Sequence, residues 1–147
     1  MGEGTARVRT ELRVMFFDTD AGGVVHNIAY LRFIEIARTL LAEELGLSLR
    51  QMAQTQKYPV VVRTEIDYRR PARLSDQLVV EGWLDQFERV RFWCGFRIDR
   101  PSDGTLIAEC RQLLALIQMP EGKLLRLPEE WEKYRQARPN EPSRSAG

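Results

Sequence analysis

The sequence holds a single histidine, His26, and two cysteines, Cys94 and Cys110, neither in a Cys-x-x-Cys pair. One histidine excludes a His-based zinc site and any histidine pair. Two isolated cysteines make no disulfide framework. No Gly-x-Gly-x-x-Gly, no Gly-Lys-Ser/Thr and no Gly-x-Ser-x-Gly occurs, so nucleotide loops and a serine nucleophile elbow are not expected. No apolar run approaches the roughly 18–20 residues of a membrane span. Met1-Gly-Glu-Gly-Thr5 is polar, so no signal peptide is expected and the cytoplasm is the expected compartment. Net charge is nearly absent, 22 basic against 21 acidic residues, which argues against nucleic acid as the partner. Lysine is scarce as well: only Lys57, Lys123 and Lys133 stand among the 22 basic residues, and the rest are arginine, the better fork for phosphate and carboxylate.

What is present fits one α+β domain. The length of 147 residues suits a single unit, since domains commonly run about 100–150 residues. Residues 1–137 are expected to form it, and the polar, Pro-rich stretch 138–147 a flexible tail. From Arg7 to Phe16 apolar and charged residues alternate, with Val8, Thr10, Leu12, Val14 and Phe16 on one face, as in a half-buried strand. From Ile28 to about Leu45 the period becomes helical. Ala29, Phe33, Ile36, Ala37, Leu40, Leu41 and Leu45 share a stripe that Leu31 and Ile34 widen, so a largely buried helix is expected. Asn27 is its expected N-cap and Gly46 its stop. A short helical turn within Leu47 to Gln56 follows. Four long strand-like runs come next, starting near Val60, Leu74, Val90 and Thr105, and then a short helix with Pro128 in its first turn. A five-stranded antiparallel sheet wrapped around one long helix is the expected architecture.

The unusual local chemistry lies in Asp18-Thr-Asp-Ala-Gly-Gly-Val-Val-His-Asn27. Two aspartates precede a Gly-Gly that lets a ligand approach the backbone. The helix that follows starts with N–H groups lacking internal partners, a ready site for a developing oxyanion. A carboxylate beside such a site is a minimal hydrolase constellation. The same residues also serve as ordinary turn and cap residues. Asp18 reads as a loop-shaping acceptor, Glu35 as the partner of Arg38 three residues on, and both cysteines as unreactive core.

The stretch Asp18-Thr-Asp-Ala-Gly-Gly-Val-Val, with Tyr30-Leu-Arg-Phe, Glu35-Ile-Ala-Arg38 and Tyr68-Arg-Arg-Pro-Ala, resembles the 4-hydroxybenzoyl-CoA thioesterase-like group of hotdog-fold acyl-CoA thioesterases. The resemblance runs from about Arg7 to Trp131. It implies a hotdog fold and hydrolysis of an acyl-CoA, or an acyl-carrier-protein thioester, without metal or added cofactor, CoA being part of the substrate. It also implies a homodimer or homotetramer with sites between subunits. The second Asp of the motif, Asp20, takes the position of the catalytic nucleophile or general base, and the backbone N–H at Asn27 that of the carbonyl donor. Relatives often carry a Tyr-His pair where this chain has His26-Asn27, and Tyr where it has Phe16. Phe16, Val25, His26, Tyr30, Tyr58, Pro59 and Val60 are the candidate substrate-binding residues, the last three lying where relatives bring in pocket residues from a partner subunit. Arg69, Arg70, Arg89 and Arg91 are candidates for the CoA phosphates. The same fold also serves acyl-thioester hydratases and dehydratases, and a non-catalytic acyl-thioester binding module is a third reading.

Overall fold

A computed structural model describes residues 5–135; the expected tail at 138–147 lies outside them. The elements are β1 (Arg7–Arg13), a 3-10 turn (Phe16–Asp18), α1 (Asn27–Glu44), α2 (Leu49–Thr55), β2 (Lys57–Tyr68), β3 (Gln77–Phe87), β4 (Arg91–Arg100), β5 (Thr105–Gln118), β6 (Lys123–Leu124), a second 3-10 turn (Glu129–Trp131) and α3 (Glu132–Arg135). The strands form one antiparallel sheet in the order β1-β3-β4-β5-β2, with the short β6 added beside β5. This is the expected α+β layout, and β6 is the strand that the alternation pattern did not reveal.

β1 keeps its period only as long as it has a partner. Val8, Thr10 and Leu12 turn inward along the register Arg7↔Trp83 to Arg13↔Gln77. At Val14 the chain meets the turn before β3: its N–H donates to the Asp76 carbonyl (2.9 Å) and its own carbonyl accepts from Ser75 (3.0 Å). The strand ends there. Phe16, expected on the buried face, instead opens the 3-10 turn and is 79% exposed.

α1 buries Ala29, Tyr30, Phe33, Ile34, Ala37 and Leu41 against the sheet. Ile28, Leu31 and Ile36 are exposed, so the helix is amphipathic rather than largely buried, because the sheet covers one side of it. Its N-cap is His26, not Asn27, and Gly46 follows the C-cap Leu45 with φ of 85°. At the C-terminal end the buried Trp131 packs edge-on against Phe87 and Phe92, and its indole N–H donates to the Leu45 carbonyl (3.1 Å). Pro128 occupies the cap position before the second 3-10 turn rather than the first helical one.

Leu78, Val80 and Leu84 of β3, with Phe92, Cys94, Phe96 and Ile98 of β4, complete the core. The outer sheet face is charged. Trp83 and Trp93 lie half-buried on it beneath Arg7 (4.7 Å) and Arg111 (4.0 Å). Of the two edge strands, β2 presents Val60, Val61 and Val62 to solvent.

Burial pushes the thiols of Cys94 and Cys110 up to about 12. Near pH 8 both therefore stay protonated and shielded. An aromatic disulfide reagent at that pH should titrate neither thiol in the folded chain and both after denaturation in urea. Rapid reaction of either in the native state would contradict the burial described.

Candidate active site

The segment between the first 3-10 turn and α1 is closed by local hydrogen bonds. Asp18 ends the turn and is buried. Its carboxylate accepts from the Met15 N–H (2.8 Å) and from Arg32 of α1 (3.0 Å), while its carbonyl accepts from the His26 N–H (3.1 Å). Asp18 is thus the loop-shaping acceptor that its position suggested. Two residues on, the Asp20 N–H donates to the Val24 carbonyl (2.9 Å) and the Asp20 carbonyl accepts from Gly23 (3.0 Å). Gly23 has φ of 80°, a conformation that a side chain would strain. The Asp20 carboxylate is exposed and accepts one bond, from the Gly22 N–H (2.8 Å). Its remaining lone pairs are open to solvent or ligand.

The start of α1 supplies the other half. His26 caps the helix: Nδ1 accepts from the Ala29 N–H (3.2 Å), which also reaches the His26 carbonyl (3.0 Å). Asn27 is the first helical residue, and among the described residues no protein group accepts from its N–H. Like the other N–H groups of the first turn it has no acceptor within the helix, so this donor is unspent, at the positive end of the helix dipole.

Beside it lies a cavity of about 300 Å³ walled by Val25, Asn27, Tyr30, Tyr68, Arg69, Arg70 and Pro71. The Val25 N–H donates to the Ala72 carbonyl (2.8 Å), and the Ala72 N–H to the Tyr30 hydroxyl oxygen (3.0 Å). These bonds hold the β2–β3 connection over the first turn of α1. Tyr30 packs against Tyr68 with centroids 5.4 Å apart. Burial raises the Tyr30 pKa above its usual value, so the hydroxyl keeps its proton. Arg69 is occupied by Glu109 at 2.9 Å, which raises its pKa, whereas among the described residues the Arg70 side chain bonds to the Arg69 carbonyl (3.0 Å) and has no carboxylate partner.

Of the expected residues, the fold brings Val25, Asn27, Tyr30, Arg69 and Arg70 together in this wall. His26 lies beside them as the helix cap, and Asp20 is in the loop that leads to them. Phe16 stands in the preceding turn, pointing to solvent. Tyr58, Pro59 and Val60 pair with Ile117, Leu116 and Ala115, and Arg91 also pairs with Ala115. They lie toward the opposite end of β2, some 30 Å along the strand from Tyr68 at about 3.3 Å per residue. Arg89 is at that end too, in the wall of a separate cavity with Arg126, Leu127 and Arg135. Tyr68 and Pro71 were not singled out as wall residues from the sequence. The signal was available, because the Arg70-Pro71 break must carry β2 past whatever α1 presents. Glu35 contacts Arg38 at 3.9 Å and His26 uses Nδ1 as a cap, so the histidine–helix carboxylate pair of a hydratase is not formed here. Among the described residues no group of three His, Cys, Asp or Glu side chains is placed to hold a metal ion, and no helix is long and apolar enough to cross a membrane.

Residues 14–133 match the model of the thioesterase-like superfamily. The acyl-CoA thioesterase YbgC of Haemophilus influenzae is 31% identical over 120 residues, covering 81% of this chain and 87% of that one. The long-chain acyl-CoA thioesterase FadM of Escherichia coli is 30% identical over 123 residues, covering 84% of this chain and 92% of its own. The crystal structure of Slr0204, a 1,4-dihydroxy-2-naphthoyl-CoA thioesterase from Synechocystis, superposes with a TM-score of 0.77 at 27% identity, over 87% of this chain and 94% of that one. The curled antiparallel sheet on a helix is the hotdog arrangement expected from the sequence.

Tyr30→Phe keeps the ring and deletes the acceptor for the Ala72 N–H. Leaving that buried donor unmet costs about 1–3 kcal/mol. Urea unfolding should show the midpoint falling accordingly with the slope unchanged, and an unshifted midpoint would mean that the bond does not hold the connection in place.

Proposed function

Since the chain belongs to the thioesterase-like superfamily, we propose that it hydrolyses an acyl-CoA thioester to the free acid and CoA at the Asp20–Asn27 site. The observation that carries this assignment is the unspent Asn27 N–H at the head of α1, next to a loop that presents an open carboxylate. The N–H donates to the thioester oxygen and stabilises the charge that builds there as the carbonyl carbon becomes tetrahedral. Asp20 then acts in one of two ways. As a nucleophile it bonds to the carbonyl carbon and expels CoA thiolate, and water cleaves the resulting anhydride. As a general base it takes a proton from water, the hydroxide attacks, and the departing thiolate recovers a proton. Both routes need only water beyond the substrate. Label found in the Asp20 carboxylate after a single turnover in ¹⁸O-water identifies the nucleophilic route, because it requires water to open the anhydride at its Asp20 side.

The 300 Å³ cavity beside Asn27 supplies the acyl pocket in this reading. Relatives of similar identity differ in the acyl group that their names give, long-chain in one and dihydroxynaphthoyl in another. The acyl class of this chain is therefore a matter for a substrate panel that includes acyl-carrier-protein thioesters. Arg70, with no carboxylate to hold it, suits a CoA phosphate better than the paired Arg69.

The site is completed by a second copy. β2 is an edge strand with three exposed valines, and such an edge invites pairing. Antiparallel pairing of two β2 strands about a two-fold axis sets the Lys57 end of one beside the Tyr68 end of the other. That places Tyr58, Pro59 and Val60 of one subunit near the cavity of its partner, although within one chain they stand far from it.

Asp20→Asn should retain the fold and lose turnover by about 100-fold or more, as removal of a catalytic base or nucleophile does; wild-type rates of thiol release from acyl-CoA would sink the assignment. Val62→Lys puts a charge on the β2 edge. Sedimentation should then show a folded monomer with little turnover, and a fully active dimer would place the interface elsewhere.

A further inference from the structure

Asp18 and Arg32 form the one side-chain bridge between the Asp20 loop and the body of α1 among the described hydrogen bonds and ion pairs. The loop's other ties are of a different kind. Asp20 is held within the loop by Val24, Gly23 and Gly22. The base of the loop is joined to the helix start by the His26 N–H on the Asp18 carbonyl. The tip of the loop is tied to the β2–β3 connection, by the Leu74 N–H on the Gly23 carbonyl (3.2 Å) and the Val24–Arg73 bridge, so none of these backbone contacts reaches α1 beyond its start. An attachment five residues beyond Asn27 fixes the Asp18 end of the loop to the helix itself. Arg32 supplies it by holding one oxygen of the buried Asp18 carboxylate at 3.0 Å, while the other oxygen holds the Met15 N–H at 2.8 Å.

The geometry points to Arg32 as a positioning residue, which acts through Asp18 to fix the Asp20 carboxylate relative to the Asn27 N–H. This rests on the reading of Asp20 and Asn27 as the reacting pair. Asp18 is buried, with 4% of its side chain accessible, whereas the Arg32 side chain is 48% accessible. The pair therefore joins an interior anchor to a surface helix residue, and Arg32 can be replaced without opening the core. A tilt of the loop moves Asp20 relative to a donor that stays with the helix, and misplacement of about 1 Å at such a pair costs on the order of 100-fold. The remaining backbone bonds limit the tilt, so a smaller loss is expected.

Steady-state kinetics of Arg32→Gln, Arg32→Lys, Arg9→Gln and Asp20→Asn test the inference, each assayed well below its own melting temperature. Arg9 pairs with Glu11 on exposed β1 and serves as a distant control. Arg32→Gln should lower kcat by about tenfold with KM changed less than about twofold, and Arg32→Lys, which restores a cation to Asp18, should return kcat to within about threefold of wild type. Arg9→Gln should match wild type. A wild-type kcat in Arg32→Gln overturns the positioning role. So does a raised KM with unchanged kcat, which would make Arg32 a substrate contact. If Asp20→Asn itself turns over normally, the reading of the reacting pair fails. If that variant is inactive while Arg32→Gln is fully active, only the role of Arg32 fails.

Discussion

Helix α1 is tied to the rest of the chain near both of its ends, by the Tyr30 hydroxyl on the Ala72 N–H and by the Trp131 indole on the Leu45 carbonyl. Ala29 and Ala37, both fully buried, let the helix lie close to the sheet. A helix held in this way cannot slide along its axis without breaking a buried hydrogen bond, which costs about 1–3 kcal/mol. The position of its first turn is therefore set by contacts at residues 30, 72, 45 and 131, none of which takes part in the proposed chemistry. The N–H groups of that turn have no acceptors in the helix itself. His26 satisfies the one at Ala29, and the one at Asn27 is left at the cavity.

Sequence patterns made the elements and much of their burial legible. Period two marked the inward residues of β3 and β4, and the helical stripe marked the bounds of α1. They did not show where a strand loses its partner. Phe16 follows the alternation of β1, but the turn that stops the strand lies at Ser75 and Asp76, about sixty positions away. Nor did they show which of two adjacent residues caps a helix. Histidine and asparagine both accept a hydrogen bond, and the extended backbone at His26, φ −81° and ψ 157°, decides between them. The candidate carboxylate and donor, Asp20 and Asn27, were proposed from the motif. The wall around them was legible only in part, because it depends on the register of β2 against β5 and on the path of the β2–β3 connection.

The arginines show the same boundary. Composition marked them as numerous but did not separate those already paired from those left over. On the outer face Arg63, Arg69, Arg97 and Arg111 meet Glu65, Glu109, Asp99 and Glu65 in turn. Exposed pairs of this kind add little stability each. They cover a broad sheet face with balanced charge, and they leave Arg70 next to the cavity without a carboxylate of its own. Side-chain direction separates Arg69 from Arg70: both follow Tyr68, the last residue of β2, but Arg69 reaches Glu109, which stands across from Asp67, and Arg70 turns back to the Arg69 carbonyl.

The hydrogen bonds that close the Asp20 loop come from residues 20 to 24, whereas the cavity wall is drawn largely from residues 68 to 71 and the first turn of α1. The two regions meet at Val25, and the loop is also tied to the later part of the β2–β3 connection, by Leu74 on the Gly23 carbonyl and by the Val24–Arg73 bridge. In the proposed reading the reacting group still stands on other residues than the surface that selects the acyl chain. Substitutions at residues 68 to 71 can then reshape the pocket while the bonds within the loop stay in place. A chain built in this way is open to divergence in substrate with its chemistry held constant, a pattern that the differing acyl names among its relatives would follow.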